Sequence, residues 1–439
     1  MVKARVRESS IVKPAEESPK VCLSTSIIDQ LFTLHVQTVY FYRRPALTEG
    51  SNDFFNTSVL KDGLSKALVT YYPIAGRLKR NESTGRAEID CTGEGVIFIE
   101  AETDSIIEDL GEFTPNGQLG ALVPNLVSNT NDISLYPPLL VQVTHFKCGG
   151  VCLSTSISHL VADGVSSLNF INMWADLCRR GVDAIKPVPF FNRSILRGRD
   201  QPKVSFPHTE HNPPSMKVPC SSALSDSKIA TAKFNLSTMQ ANQLKSKCNE
   251  DKFQFSTYEV IAGHIWRCSC KARELKDDQE TMISIPVDCR SRLSPPLPEG
   301  YFGNAIMDLA PKAIAGDIVS RPLSYTVKII HDTLCTLGNN EYFRSALDFL
   351  ESHPNISTLI KGPQTFKGCN IGNANWLKLP MYEADFGWGQ PVYMGPAVIS
   401  CAGRSMLAPN PPGVGGFSLT IALESDYHMN LFKNYFYDI

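Results

Sequence analysis

Apolar positions along the chain group into short runs whose spacing switches between that of strands and that of helices. β-Branched and aromatic residues crowd "VQTVYFYR" (36–43) and predict a strand. "VLKDGLSKALVTYYPIAGRL" (59–78) reads as a helix that stops at Pro73. "RAEIDCTGEGVIFIEA" (86–101) reads as two strands around a Thr-Gly-Glu-Gly turn, a hairpin signal. A second hairpin spans 139–158, its turn at Lys147-Cys148-Gly149-Gly150, and its second strand runs straight into His159. Beyond Gly164, Leu168, Ile171, Trp174 and Leu177 recur at helical spacing, which makes Asp163 the expected N-cap. Alternation of the two periods argues for an α/β protein.

The pattern breaks over 186–220, where proline and polar residues dominate and periodicity fades. This stretch predicts a crossover at 186–222 between an N-terminal domain (1–185) and a C-terminal domain (223–439). In the second half a strand is expected near 229–235, helices at 237–248 and 256–273, and a closing strand at 415–424 before a terminal helix. Internal repeats of solenoid length are not evident.

Composition narrows the function. A chain of 439 residues is long for one core, in keeping with two domains. A net charge of −2 offers no basic footprint for nucleic acid and no polybasic stretch for anionic lipid. The polar N-terminus lacks a signal-peptide core and no run approaches membrane-spanning length. Thirteen cysteines are scattered, with neither a CxxC pair nor zinc-ligand spacing, which fits a reducing cytosol. Sequons such as Asn81-Glu82-Ser83 then carry no glycan.

Candidate chemistry begins with His159-x-x-x-Asp163. The bland reading is a core histidine beside a helix cap. The functional reading is a base presented at a strand end, since an imidazole can take a proton from a hydroxyl or amine near neutral pH. No G-x-S-x-G elbow supplies a serine nucleophile. Asp385-Phe386-Gly387-Trp388-Gly389 implies a glycine-dependent turn with an aromatic plug, and no kinase loops accompany its "DFG". Gly413-Val414-Gly415-Gly416 precedes a strand instead of opening a helix, so it reads as a loop. Arg290 and Arg292 could pair a carboxylate or clamp a phosphate, or simply be solvated.

"SHLVADG", "EADFGWG" (383–389), "YYPIAGRL" (71–78), "STYEVIAGHIWR" (256–267) and "VDCRSRLSPPLPEGYFGN" (287–304) together resemble the plant BAHD acyltransferases, in the family's order along nearly the whole chain. "VRESSIVKPAEESP", "VYFYR" and "LNFINMWADLCRRG" are most similar to the hydroxycinnamoyl-CoA:shikimate/quinate transferases. The resemblance implies a monomeric, cytoplasmic enzyme of two chloramphenicol acetyltransferase-like domains, each a mixed β-sheet flanked by helices, with a channel at their interface. It implies acyl-CoA as co-substrate, with no bound cofactor and no metal.

Carried onto this chain, the resemblance makes His159 the general base and Asp163 a structural residue paired with Arg290 or Arg292. Asp385, Gly387 and Gly389 would support the site wall; Ser256, Thr257, Arg290, Tyr301 and Asn304 would lie on the CoA side. On the acceptor side it places His35, Thr38 and Tyr40, with Lys378 where relatives carry a carboxylate-binding arginine. The Trp388 indole N–H is the expected oxyanion donor. The expected reaction moves a p-coumaroyl or caffeoyl group from CoA to the hydroxyl of shikimate or quinate. Ser158 stands where those enzymes often have a second histidine, so a 4-hydroxyphenyllactate-type acid or an amine such as spermidine also fits. A ligand-binding relative without catalysis and a thioesterase are the remaining alternatives.

Overall fold

The computed structural model describes residues 2–45, 53–125, 132–181, 187–211, 229–248, 254–336, 340–360, 363–366 and 368–439. They form two compact mixed α/β units. The first comprises Met1–Arg197, Pro296–Ala305 and Leu379–Val398; the second comprises Gly198–Pro295, Ile306–Lys378 and Ile399–Ile439. The sequence expectation of a single divide at 186–222 is replaced by this interleaved one. Of that expected crossover, 187–211 is described, while 186 and 212–222 lie outside the described residues.

The first unit is built on β1 (Arg5–Val12), β2 (Cys22–Ser24), β3 (His35–Tyr42), β4 (Arg77–Arg80), β5 (Ala87–Asp90), β6 (Val96–Thr103), β7 (Leu139–Phe146) and β8 (Val151–Ser158). A six-stranded sheet runs β1-β6-β7-β8-β3 and ends on β14 (Tyr393–Pro396); β2, β5 and β4 make a separate sheet. The hairpin expected at 139–158 is present as β7 and β8. The one expected at 86–101 is not. β5 pairs with β2 and β4, whereas β6 pairs with β1 and β7, so the two strands part into different sheets. Two glycines at positive φ, Gly93 (68°) and Gly95 (93°), make that turn a departure from the sheet instead of a return.

Late residues join this unit because β14 completes its sheet. Tyr393 pairs with Phe41 and Pro396 with Thr38. The Asp385–Gly389 block, expected in the C-terminal domain, therefore belongs to the first unit. Helices α1 (Thr57–Thr70), α2 (Gly117–Gly120) and α3 (Gly164–Arg180) accompany the sheets. The helical spacing read from the sequence buries Leu168, Ile171, Trp174 and Leu177 of α3, each worth about 1.5–3 kcal/mol of transfer free energy. Gly63 lets α1 approach α3 closely: a Cβ there would stand 2.3 Å from Cys178 Sγ.

The second unit contains β9 (Ala230–Leu236), β10 (Glu280–Asp288), β11 (Ile306–Leu309), β12 (Lys312–Ile314), β13 (Ile371–Asn375), β15 (Arg404–Pro409) and β16 (Phe417–Leu423). Its sheet order is β11-β10-β13-β15-β16-β9, with β12 also on β10. Its helices are α4 (Thr238–Cys248), α5 (Thr257–Ala272), α6 (Ala315–Ser320), α7 (Leu323–Cys335), α8 (Asn340–Ser352), α9 (Pro363–Phe366) and α10 (Asp426–Tyr437). The buried helix α5 packs against α4, α7 and α10, and Ile261, Ile265 and Trp266 meet Phe432 and Phe436 in one core. No described helix is long and apolar enough to cross a membrane.

Candidate active site

His159 leaves β8 by one residue. Its backbone N–H donates to Leu34 O at 2.8 Å, and Val161 N–H turns back to Ser158 O at 2.9 Å. The chain is thus fixed on both sides of the imidazole before any side chain is considered. One ring face lies on Phe32, with centroids 4.1 Å apart and planes 12° from parallel.

Asp163 is the N-cap of α3, as the sequence predicts. Its Oδ1 accepts from Ser166 N at 3.0 Å, and its Oδ2 accepts from Ala305 N at 3.0 Å. Ser166 Oγ also accepts from Gly303 N at 3.1 Å and donates to Gly303 O at 3.0 Å. The start of α3 therefore pins down the strap 303–305. The strap is close-packed at Gly303, where a Cβ would stand 3.1 Å from Tyr301 Oη and 3.3 Å from the Arg193 guanidinium.

The pinned strap delivers Asn304, which is fully buried, to His159. Asn304 Nδ2 donates to Asp29 Oδ1 and to His159 O, both at 2.7 Å. Those bonds use both amide hydrogens, so Oδ1, 3.0 Å from His159 Nδ1, acts as an acceptor. The imidazole must then carry its hydrogen on Nδ1, and its lone pair lies on Nε2.

Beneath Asn304 lies a buried ion pair. Asp29 and Arg193 side chains are 0% and 1% exposed, with Arg193 Nη1 donating to Asp29 Oδ2 at 3.0 Å. Asp29 also accepts from Ser26 N (2.7 Å), Ser26 Oγ (2.9 Å) and Asn304 N (3.0 Å). Arg193 Nη2 donates to Val161 O at 2.7 Å, which holds the turn that follows the histidine. Nearly all the lone pairs of this carboxylate are occupied, which is what makes a buried charge tolerable.

Sequence reasoning missed Asp29 and Arg193. Arg193 lay in a stretch taken for a linker, and Asp29 had only a Ser26-x-x-Asp29 spacing to announce it. Asn304, expected on the CoA side, instead directs its amide to the histidine. Tyr301 is buried just before it, in a bridge with Phe190.

Trp388 requires a correction. Asp385 Oδ1 accepts from Gly387 N (2.9 Å) and Gly389 N (2.8 Å), a turn that needs glycine at φ 106° and 101°. Asp385 Oδ2 meets Arg179 in the last turn of α3 at 3.4 Å, whereas Asp163 starts that helix. The two motifs thus bracket a helix roughly 24 Å long. The indole packs on Phe55, 5.0 Å away, and Phe55 on Tyr42 at the far end of β3 from His35, whose partner in β8 is Ser158. An indole there is remote from His159 and cannot serve as its oxyanion donor.

The three expected acceptor contacts on β3 also separate. Alternation along a strand sends His35 to one face and Thr38 and Tyr40 to the other. Thr38 Oγ1 bonds Thr155 Oγ1 at 2.8 Å, and Tyr40 is buried, which pushes its phenol well above the ordinary range. His35 Nε2 lies 3.2 Å from Pro137 O, and burial lowers its imidazole below its usual value.

In the second unit Ser256 caps α5, its Oγ accepting from Glu259 N at 3.2 Å, and Thr257 opens the helix. Arg290 Nη1 donates to Asp288 at 3.1 Å; Arg292 and Lys378 are exposed.

The same architecture occurs in the crystal structure of vinorine synthase, at a TM-score of 0.74 and 22% identity over 98% of this chain and 96% of that one. The Transferase family model matches residues 2–439, and the chain belongs to this family, the BAHD acyltransferases. Shikimate O-hydroxycinnamoyltransferase of Nicotiana tabacum is 46% identical over 446 residues, covering 100% of both chains. Hydroxycinnamoyl-CoA:5-hydroxyanthranilate N-hydroxycinnamoyltransferase of Avena sativa is 41% identical over 448 residues, 99% of each. The protein is an acyltransferase.

Proposed function

We propose that the protein transfers a hydroxycinnamoyl group from coenzyme A to the hydroxyl of shikimate or quinate, with His159 as general base. The observation that carries the reading is the bond from His159 Nδ1 to Asn304 Oδ1, because it leaves Nε2 as the proton acceptor. Nε2 takes the acceptor's hydroxyl proton while the oxygen attacks the thioester carbonyl. The tetrahedral intermediate collapses, the carbon–sulfur bond breaks, and the imidazolium returns the proton to the departing thiolate. The thioester is already activated, so no covalent enzyme intermediate is needed. Orientation of the two substrates supplies much of the acceleration. Asp163 acts as a positioning residue, since it holds Ala305 and hence Asn304 in place.

A shikimate-type acceptor is supported by the name of the tobacco relative, and Lys378 keeps a cation for its carboxylate. The oat relative, named for N-transfer, favours an aromatic amine as the second reading. One experiment separates these. Thiol release from p-coumaroyl-CoA is followed with shikimate, quinate, 4-hydroxyphenyllactate, 5-hydroxyanthranilate, spermidine or no acceptor. Shikimate or quinate should give the highest kcat/KM, and His159→Ala should reduce turnover roughly 10²–10⁴-fold. Equal release without acceptor would indicate a thioesterase; retained turnover in the alanine variant would remove His159 from the chemistry.

A further inference from the structure

Two helices of the second unit carry a histidine followed four residues later by a cysteine, a spacing that puts both side chains on one helix face. On α5 the pair is His264 and Cys268, with Nε2 and Sγ 3.6 Å apart. Both are buried, and burial drives the imidazole down to about 4 and the thiol far above its ordinary range. Such a pair stays neutral and inert.

On α7 the pair is His331 and Cys335, again with Nε2 and Sγ 3.6 Å apart, but the surroundings are reversed. Cys335 is exposed and His331 is 29% exposed. His331 Nδ1 lies 2.9 Å from Glu259 Oε1. The carboxylate is itself held in place, because its other oxygen accepts from Ser256 N at 2.6 Å in the α5 cap. Glu259 holds Nδ1, and the ring thereby aims Nε2 at Sγ, where it can take the proton of the thiol.

We propose that Cys335, His331 and Glu259 form a thiol–disulfide exchange site that takes a low-molecular-weight disulfide of the glutathione-disulfide class. The Cys335 thiol gives its proton to His331 Nε2, and the thiolate attacks one sulfur of the disulfide. The disulfide's S–S bond breaks as a new one forms to Cys335. The departing half leaves as a thiolate and takes the proton from His331. The Cys335 sulfur is oxidised and the departing half is reduced to a thiol, so no further oxidant is required.

Other charges nearby are accounted for. On α7, Asp332 is paired with Lys328 at 2.7 Å, and on α6 Asp317 is paired with Arg321 at 2.9 Å. The helix α4, also packed on α7, carries Lys245 and Lys247 in its last turn. Cys22 provides a contrast within the same molecule. It too is exposed, but partial burial and the Glu88 carboxylate, whose Oε2 accepts from its Sγ at 3.3 Å, both raise its thiol.

The site is independent of the acyl-transfer reading. The test is reaction of the native chain with limiting oxidised glutathione at pH 7, read by peptide mass mapping. Cys335 should be modified at least roughly tenfold faster than Cys22 and Cys148. His331→Gln keeps a partner for Glu259 but cannot take a proton; it should slow Cys335 roughly tenfold at pH 7 while leaving Cys22 and Cys148 unchanged. Modification no faster than at Cys22 or Cys148, or a His331→Gln variant with unchanged rate, would overturn the proposal. The rate at Cys335 relative to Cys22 and Cys148 in the native chain decides the matter even if the variant does not fold.

Discussion

Asn304 gives one amide hydrogen to Asp29 Oδ1 at 2.7 Å, and this bond decides which atom Asn304 turns toward His159. With its nitrogen committed to a buried carboxylate, the asparagine has only its carbonyl oxygen to offer. The orientation of the imidazole is therefore set two contacts away, through Asn304, by the buried pair of Asp29 and Arg193.

Asn304→Ala should lower kcat roughly 10–10²-fold, because the imidazole is freed to populate the other tautomer and to rotate. The KM for acyl-CoA should change little. Steady-state kinetics with one saturating acceptor checks this. A raised KM at unchanged kcat would instead restore Asn304 to the CoA side.

Asp29→Asn removes the counter-charge of a guanidinium that is 1% exposed, and should destabilise the chain by about 3–5 kcal/mol. Pairing it with Arg193→Gln should cost less than the sum of the two single changes, since the double variant leaves no uncompensated charge. Urea unfolding of the four proteins measures the coupling.

Asp163→Ala should lose the α3 cap, about 1 kcal/mol, and orphan the buried Ala305 N–H at a further cost of about 1–3 kcal/mol. Turnover should fall with it through the displaced strap. Chemical denaturation together with kcat on the folded fraction separates the two effects.

Trp388→Phe should keep kcat within roughly threefold of the parent, far from the 10²–10³-fold loss expected for an oxyanion donor. Gly389→Ala, by contrast, places a Cβ at φ 101° and should lower the melting temperature without touching the pH profile of turnover. Thermal melts and kinetics on both variants provide the comparison.

His264 predicts acid sensitivity. Burial lowers its folded-state value to about 4 from an ordinary 6.5, so the unfolded chain binds the extra proton first. Stability from this group is complete above pH 6.5 and is lost as pH falls toward 4, on the order of 3 kcal/mol in all. Urea unfolding at pH 7 and pH 4.5 should show that loss, and His264→Gln should flatten it.

Local patterns in the sequence reported local structure well. The β7–β8 hairpin, the Asp163 cap, the Ser256 start of α5 and the glycine-dependent turn at Asp385 all depend on neighbours within a few residues. What the pattern did not reveal depends on distant partners. β5 and β6 look like a hairpin until the sheets that claim them are known, and nothing near Arg193 signals that Asp29 lies across from it. Trp388 shares a motif with Asp385, but only the length of α3 tells how far that motif stands from His159.

The strap that carries Asn304 follows His159 by 145 positions. A ribosome therefore releases the histidine long before the residue that orients it exists. Until that later segment is made, His159 lacks its Asn304 partner and β3 lacks its β14 neighbour. The imidazole's tautomer is thus fixed by a segment from beyond the first two hundred residues, the kind of long-range closure that slows folding.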